Sequence, residues 1–444
     1  MKDFAHKSYK ESGIDWCPRI PKQWESTKTK YATGFTTGWT PPTGDDEAYN
    51  GTNCWANISD LGPKVLENTA KTISDSAAAA TRIKPSPQGS LMFSFKLSIG
   101  QVSLAGREMY TNEAIATFLG SDKLAIPFAY YAFPVFLVQN AAENIYGAKL
   151  LNQELMRAAR FPLPSLVEQL TIASFLDRET TKIDALIAEQ KHLIELLQEK
   201  RQAVISHAVT KGLNPNAPMK DSGVEWLGQI PITWESPSLG VLISKAELGE
   251  NFDSSESNEG LPVMKMGNLG RGFVRLDKVE RLTDGAEVGD TSLLRDGDFL
   301  FNTRNSLDLV GKVALWRSEL PMATYNSNIL RINFNAHKVA SSGYMNHLFN
   351  SSFGVSQLRT LAKGTTSVAA IYYKDLTSFR VLLPTLEEQH AISKYLDNAC
   401  AKIKELIAKA RLAVDLLQER RSALISAAVT GQIDVRGLTE EIAA

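Results

Sequence analysis

The sequence predicts an α+β chain: two mixed α/β segments with small curved sheets, each followed by one of two long, duplicated helices. Three observations carry this. Ser165–Gly212 recurs as Thr385–Gly431, a tryptophan element recurs at two other places, and the segments between them show short strand patterns broken by turns.

The long repeat has an offset of 220 residues, Gln169 matching Gln389. Leu176-Asp177 matches Leu396-Asp397, Leu196-Leu197-Gln198-Glu199 matches Leu416-Leu417-Gln418-Glu419, and Val209-Thr210 matches Val429-Thr430. In the first copy Leu176, Ile183, Leu186, Ile187, Leu193, Ile194, Leu197, Val204, Ile205 and Ala208 recur at helical spacing and predict one apolar stripe. Ser165 with Glu168 and Thr385 with Glu388 are capping boxes, each after a proline (Pro164, Pro384), and Gly212 and Gly431 close the helices. About 40 residues at ~1.5 Å each make a rod of roughly 60 Å. Such a rod needs a partner for its stripe, and the nearest candidate is its own duplicate.

The second repeat is KESGIDWCPRIPKQWES at 10–26 against KDSGVEWLGQIPITWES at 220–236, with an offset of 210 residues. Its two tryptophans, Trp16 and Trp24 or Trp226 and Trp234, are expected to pack a compact connector onto neighbouring elements. The chain then divides into a connector (1–26), an insert (27–162), the first long helix (163–212), the second connector (213–236), the second insert (237–383), the second long helix (384–431) and a C-terminal tail (432–444). The first insert carries strand patterns at Ser90–Leu97 and Gln101–Ala105, and an aromatic stretch, Leu124–Phe136, with helical character. The second carries strand patterns at Pro262–Met266, Asp298–Asn302, Lys312–Trp316 and Asn328–Phe334, with Gly267–Gly272 and Asp296–Asp298 as turns.

Composition narrows the function. The chain is 43% hydrophobic and 22% charged, with net charge −1. No apolar run reaches membrane-spanning length, and Met1–Gly13 lacks the apolar core of a secretory signal. Cys17, Cys54 and Cys400 are far apart and without metal-ligand spacing, so a cytoplasmic protein with reduced thiols is the expectation. No phosphate-binding glycine motif and no methyltransferase motif occurs. His192, His207 and His390 face Leu412, Ala427 and Leu170 at the paired positions of the other copy, which argues against ligand roles. Asp296, Asp298 and Asp45-Asp46-Glu47 read as turn and loop acids. The chain therefore reads as non-catalytic, holding no metal and no cofactor. A duplicated frame around two different inserts suits recognition of something with two parts.

These patterns resemble the specificity (S, HsdS) subunits of type I restriction–modification systems over nearly the whole chain. The resemblance rests on PLPSLVEQ (162–169) and LPTLEEQ (383–389) opening the long helices, the duplicated W…IPxxW element, GDFLFNTRNSLDLVGK (297–312), TPPT (40–43), WANISDL (55–61), GSLMFSFKLSIG (89–100) and YTNEAI (110–115). The two inserts differ where SFKLSIG stands against NTRNSLDLVG, so contacts in one cannot be copied to the other. The resemblance implies that 27–162 and 237–383 are two target-recognition domains, each reading one half of a bipartite double-stranded DNA target. The long helices would pack antiparallel as a coiled-coil spacer with pseudo-twofold symmetry, and two modification (methyltransferase) subunits would dock on it. Restriction (translocase–nuclease) subunits can join, and S-adenosylmethionine belongs to the modification subunits. A ~60 Å rod exceeds one DNA turn of ~34 Å, which fits half-sites separated by an unread spacer.

Base readout calls for Arg, Lys, Asn or Gln, and phosphate contact for Lys, Arg, Ser and Thr. With loop position and the family pattern, this selects Asn302, Arg304, Asn305, Ser306 and Lys312 in the second insert, Arg304 foremost. Lys265, Lys363, Thr365 and Thr366 are candidates for a second loop there, where Gly364 lets backbone approach phosphate. In the first insert the candidates are Arg82, Lys84, Ser94, Lys96 and Lys149, with Thr36, Thr37 and Asn57 behind them. The rival reading is a coiled-coil scaffold that joins two protein-binding modules without DNA.

Overall fold

The computed structural model describes residues 5–42, 44–143, 147, 149–223, 228–257, 259–283, 288–365 and 368–438. The chain is α+β and divides into two compact units, Met1–Gln190 with Leu412–Ala444, and Lys191–Arg411. The division crosses both long helices, Leu166–Lys211 and Leu386–Val429, so each unit contains part of each.

In the first unit, five strands form one sheet in the order Phe35–Thr37, Ile115–Phe118, Leu91–Ser94, Val102–Ala105, Val65–Leu66. The last pair is parallel and the others antiparallel. Helix Ile126–Gln139 covers the sheet through its aromatic side chains, with Phe133 edge-on to Phe118 at 4.8 Å and stacked Phe136 and Phe161 at 5.3 Å. A three-stranded sheet of Tyr110–Thr111, Asn53–Ala56 and Lys71–Ile73 adjoins it. Glu25–Lys28 pairs with Arg160–Leu163, closing the insert at its base.

In the second unit, Ile243–Leu248, Ile329–Phe334, Phe299–Asn302 and Val313–Leu315 form an antiparallel sheet. Helices Ser342–Asn350 and Ser352–Leu361 pack against it, and Phe349 contacts Phe299 at 5.3 Å. Ser341 and Ser351 cap these helices, accepting from Tyr344 and Gly354 backbone N–H groups. Two smaller sheets complete the unit: Ser254–Ser255, Glu280–Leu282, Pro262–Met264 and Thr324–Tyr325, then Arg304–Asn305, Ala369–Ala370 and Lys363–Gly364.

Equivalent devices tie each insert to its helix. Gln169 is fully buried; its Oε1 accepts from Ala125 N at 2.8 Å and its Nε2 donates to Lys123 O at 2.7 Å and Pro164 O at 2.9 Å. Gln389, also fully buried, does the same with Ala340 N at 2.9 Å, Lys338 O at 2.9 Å and Pro384 O at 3.0 Å. One helical turn pair further on, Asp177 accepts from Tyr131 and Lys64, each at 2.5 Å, and burial with that carboxylate keeps the Tyr131 hydroxyl protonated far above its usual range. Its repeat partner Asp397 meets His347 Nε2 at 2.9 Å and Arg317 at 3.4 Å. The His347 hydrogen bond holds the Asp397 carboxyl below the usual range.

The long helices run antiparallel inside each unit. Asp184 pairs with Arg421 at 2.8 Å in the first unit, and Arg201 hydrogen-bonds Cys400 in the second. Leu176, Ile183, Ile187, Leu197, Ile205 and Ala208 are buried as the stripe predicts, while Leu186 and Leu193 are exposed, 44% and 42%. The buried seam is thus narrower than the sequence stripe, as expected when two helices share one a/d line.

The tryptophan connectors are hairpins, Tyr9–Glu11 with Arg19–Pro21 and Met219–Asp221 with Gln229–Pro231. Each seats a fully buried tryptophan, Trp24 or Trp234, against the end of a long helix. A Cβ on Gly431 would lie 2.5 Å from Pro21 and 3.1 Å from Trp24, and one on Gly212 3.3 Å from Trp234. Both glycines have positive φ, +73° and +79°, so only glycine ends the helix there without strain. The N-terminal connector therefore caps the second helix across 422 residues of sequence, as Tyr9 hydroxyl donating to Gly431 O at 3.1 Å also shows. Trp16 packs on Phe136 at 5.6 Å, and Trp226 lies outside the described residues. Part of the C-terminal tail is core: Val435 is buried, and Asp434 pairs with Arg436 at 2.6 Å.

Candidate nucleic-acid interface

The motifs SFKLSIG and NTRNSLDLVG occupy like places in their units, each the hairpin between two neighbouring antiparallel strands. In the first, Gly100 N donates to Ser94 O; in the second, Gly311 N donates to Asn302 O; both are 3.0 Å. Both glycines have positive φ, +93° and +73°. The loops between differ, Phe95–Ile99 against the longer Thr303–Val310, so one scaffold presents two different tips.

In the second unit the structure gathers several candidates. Arg304 and Asn305 pair with Ala370 and Ala369, which pair in turn with Lys363 and Gly364. The two loops expected from sequence thus share one small sheet, with Thr365 in the turn beyond it. Arg304 is exposed and its guanidinium has no ion pair or hydrogen bond among the described residues; it lines a cavity of about 310 Å³ with Ser327, Asn328, Tyr372 and Tyr373. Asn305 Nδ2 donates to Asn302 Oδ1 at 3.3 Å, and Asn305 Oδ1 accepts from Ser306 N at 2.9 Å. Ser306 starts the turn that accepts from Leu309 and Val310 N–H groups.

Two expectations for this unit need correction, and two further candidates are already paired. Asn302 is fully buried and spends its amide on Arg304 O at 3.0 Å and Asn328 O at 3.4 Å, so it shapes the hairpin and cannot reach a base. Lys312 is buried at the hairpin root, where burial and the neighbouring Arg275 and Arg271 push its ammonium below the usual lysine range. Lys265 follows the strand Pro262–Met264 of a different small sheet and pairs with Glu280 at 2.5 Å. Lys363 is exposed but pairs with Asp375 at 2.7 Å. Thr366 lies outside the described residues.

In the first unit, Lys96 stands exposed at the hairpin tip beside the exposed Leu97. Thr40 hydrogen-bonds Glu113, which with Lys96 nearby holds that carboxyl below its usual range. Thr36 and Thr37 lie on the edge strand of the same sheet, where Ala116 pairs with both Thr37 and Phe93; Thr37 accepts from Gln153 at 3.2 Å. Ser94 is a correction: it is fully buried and its hydroxyl donates to Leu97 O. Asn57 is the N-cap of the Ile58–Asp60 turn, with Oδ1 accepting from Ser59 N at 2.7 Å. Arg82 and Lys84 are exposed in an extended segment, and Lys149 donates to Val138 O at 3.4 Å; among the described residues no hydrogen bond or ion pair joins these three to the hairpin.

Residues 21–196, the first insert with the first part of its helix, match the family model described as the type I restriction modification DNA specificity domain. Similar sequences include the EcoKI specificity subunit of Escherichia coli K12, 25% identical over 60% of this chain and 58% of that subunit. The MjaIX specificity subunit of Methanocaldococcus jannaschii is 24% identical over 60% of this chain and 61% of its own length. The chain is similar to type I specificity subunits.

Its aligned part spans less than two thirds of those two relatives. The specificity-subunit fold itself extends further. A chain from a structure of type I restriction–modification complex assembly superposes with TM-score 0.70 at 16% identity, over 92% of this chain and 98% of that one. The HsdS subunit of Thermoanaerobacter tengcongensis gives TM-score 0.52 at 15% identity, over 93% and 98%.

Sequence reasoning missed Tyr372 and Tyr373, exposed 53% and 48% beside Arg304. The adjacent tyrosines were a legible signal, because aromatic side chains beside basic ones suit nucleic acid. It also missed two grooves along the long helices. In the first unit Phe175, Leu416, Ala423, Leu424, Ala427 and Ile433 line one of about 680 Å³. In the second unit Tyr395, Ala203, Val204, His207 and Leu213, their partners at the 220-residue offset, line one of about 650 Å³. Exposed leucines recur at the same offset, Leu186 with Leu406 and Leu196 with Leu416.

Proposed function

We propose that this chain is the non-catalytic DNA-specificity subunit of a type I restriction–modification complex. Each insert reads one half of a bipartite duplex target, and the long helices set the spacing between the halves. Two modification subunits dock on the helices and bring S-adenosylmethionine; restriction subunits can join, and the complex works in the cytoplasm.

The observation that carries the reading is the pair of equivalent hairpins with different tips. A duplicated scaffold that holds its clamps, caps and helix seam constant while changing only the reading loops suits an asymmetric two-part target. Duplicated grooves, with duplicated exposed leucines, support two docked copies of one partner. In the second unit Arg304 supplies the free bidentate donor that guanine readout needs, with Tyr372 and Tyr373 beside it.

The test is binding of the chain, with its modification subunit, to duplexes derived from methylated sites in the host genome. Tight binding to these and weak binding to scrambled duplexes is expected. Arg304→Ala should weaken binding by ~1–3 kcal/mol, about 5- to 150-fold, and relax one base position in one half-site. Equal affinity for all duplexes would overturn the reading and favour a scaffold that joins protein-binding modules.

A further inference from the structure

Beside the hairpin of the second unit lies a second cavity, of about 530 Å³, lined by Gln202, Arg271, Asn350, Ser352, Ser356 and Arg359 among others. It reaches the hairpin through Asp308: Arg271 Nη2 donates to the Asp308 carbonyl at 3.0 Å, and Arg359 pairs with its carboxylate at 3.3 Å. Neither arginine was selected by sequence position.

The cavity is built for an anion. Arg271 Nη1 is buried and unpartnered among the described residues, an unmet donor on a guanidinium. Arg359 lies near Arg271, and Lys312 and Arg275 stand behind; among the described residues the carboxylate that acts on Arg271 is that of Asp308. That carboxylate is largely solvent-exposed, so its screening of the cluster is weak. Ser352 Oγ accepts from both Gln202 Nε2 and Ser206 Oγ at 3.1 Å, which leaves its own hydrogen free to donate. Asn350, 93% buried, uses its amide hydrogens on Asn346 and Val313 carbonyls and so fixes one wall of the cavity. Planar guanidinium groups with unmet N–H donors match the oxygens of a phosphate.

We infer that Arg271 and Arg359 form a phosphate site that grips the backbone of the bound duplex next to the Arg304 hairpin. The inference rests on the DNA reading above. It separates two duties on one loop: Arg304 at the tip reads a base, and the arginines linked to Asp308 fix where the loop sits along the strand.

The test uses the full chain with its modification subunit, comparing wild type, Arg359→Ala and Arg271→Ala across a salt series on cognate and scrambled duplexes. Each substitution should lower affinity by the same factor on both duplexes and make the plot of log affinity against log salt shallower by about 0.9. A duplex carrying one neutral methylphosphonate at the contacted position should bind wild type more weakly and Arg359→Ala no more weakly than the unmodified duplex. An unchanged salt slope for both variants, or a loss confined to the cognate duplex, would overturn the phosphate site. Because Arg359 is exposed, its variant tests the site even where Arg271→Ala disturbs the hairpin. If the wild type shows no preference for the cognate duplex, the specificity reading fails while the slopes on scrambled DNA still judge the phosphate site.

Discussion

Gln389→Ala should destabilise the second unit selectively, by about 3–5 kcal/mol. The side chain is fully buried and makes three hydrogen bonds to backbone, one accepted from Ala340 N and two donated to Lys338 O and Pro384 O. A neutral hydrogen bond contributes roughly 1 kcal/mol net, which accounts for ~3 kcal/mol, and stranded buried backbone groups add a further penalty. The substitution also frees the start of the second long helix from the segment that leads into helix Ser342–Asn350. Gln169→Ala should do the same to the first unit through Ala125, Lys123 and Pro164. Urea unfolding with residue-resolved hydrogen exchange reads both: the Ala340 amide loses protection in one variant and the Ala125 amide in the other. A loss under ~1 kcal/mol with Ala340 still protected would refute the clamp.

Three further outcomes follow from the same parts. The Asp397 carboxyl is held below its usual range, first by the His347 hydrogen bond, so its contribution to stability is complete above the ordinary carboxylate pKa of ~3.9 and is lost as pH falls through the lower folded value; a pH series on the second unit should show this acid limb, and Asp397→Asn should remove it. Leu416→Lys or Leu196→Lys, at exposed positions of the repeat, should leave thermal stability unchanged and cost the complex one bound modification subunit each, seen as a mass change by light scattering; two subunits still bound to the double variant would rule out that surface. Deleting one heptad from both long helices should abolish binding at the native spacing while the half-sites stay the same, measured on duplexes of varied spacer length; normal affinity at the native spacing would end the spacer idea.

Much of this protein is legible in its sequence because the signals are local. Helical periodicity with capping residues places both long helices, and alternating apolar runs place the strands Leu91–Ser94, Val102–Ala105, Phe299–Asn302 and Ile329–Phe334 close to where they occur. The aromatic stretch in the first insert is a helix, Ile126–Gln139. Even the equivalence of SFKLSIG and NTRNSLDLVG can be read from their place between strands. The glycines that end the helices announce themselves, since a left-handed cap is a one-residue requirement.

What the sequence could not determine is which side chains remain free to act. Asn302, Arg304 and Lys312 stand within eleven residues and look alike as polar loop residues, yet one is spent on backbone, one is exposed and one is buried. Lys265 is neutralised by Glu280 across a strand pair, and Ser94 turns inward onto its own hairpin. Ile183 is buried and Leu186 exposed because the partner helix covers a narrow seam, a choice made by crossing geometry rather than hydrophobicity. The cap on Gly431 comes from the opposite end of the chain, and the arginines at Asp308 come from separate elements. Periodicity, capping and turns depend on neighbours in sequence, so the sequence by itself determined the elements and their duplication. Burial, pairing and the freedom of a charge depend on neighbours in space, and only the tertiary structure decided those.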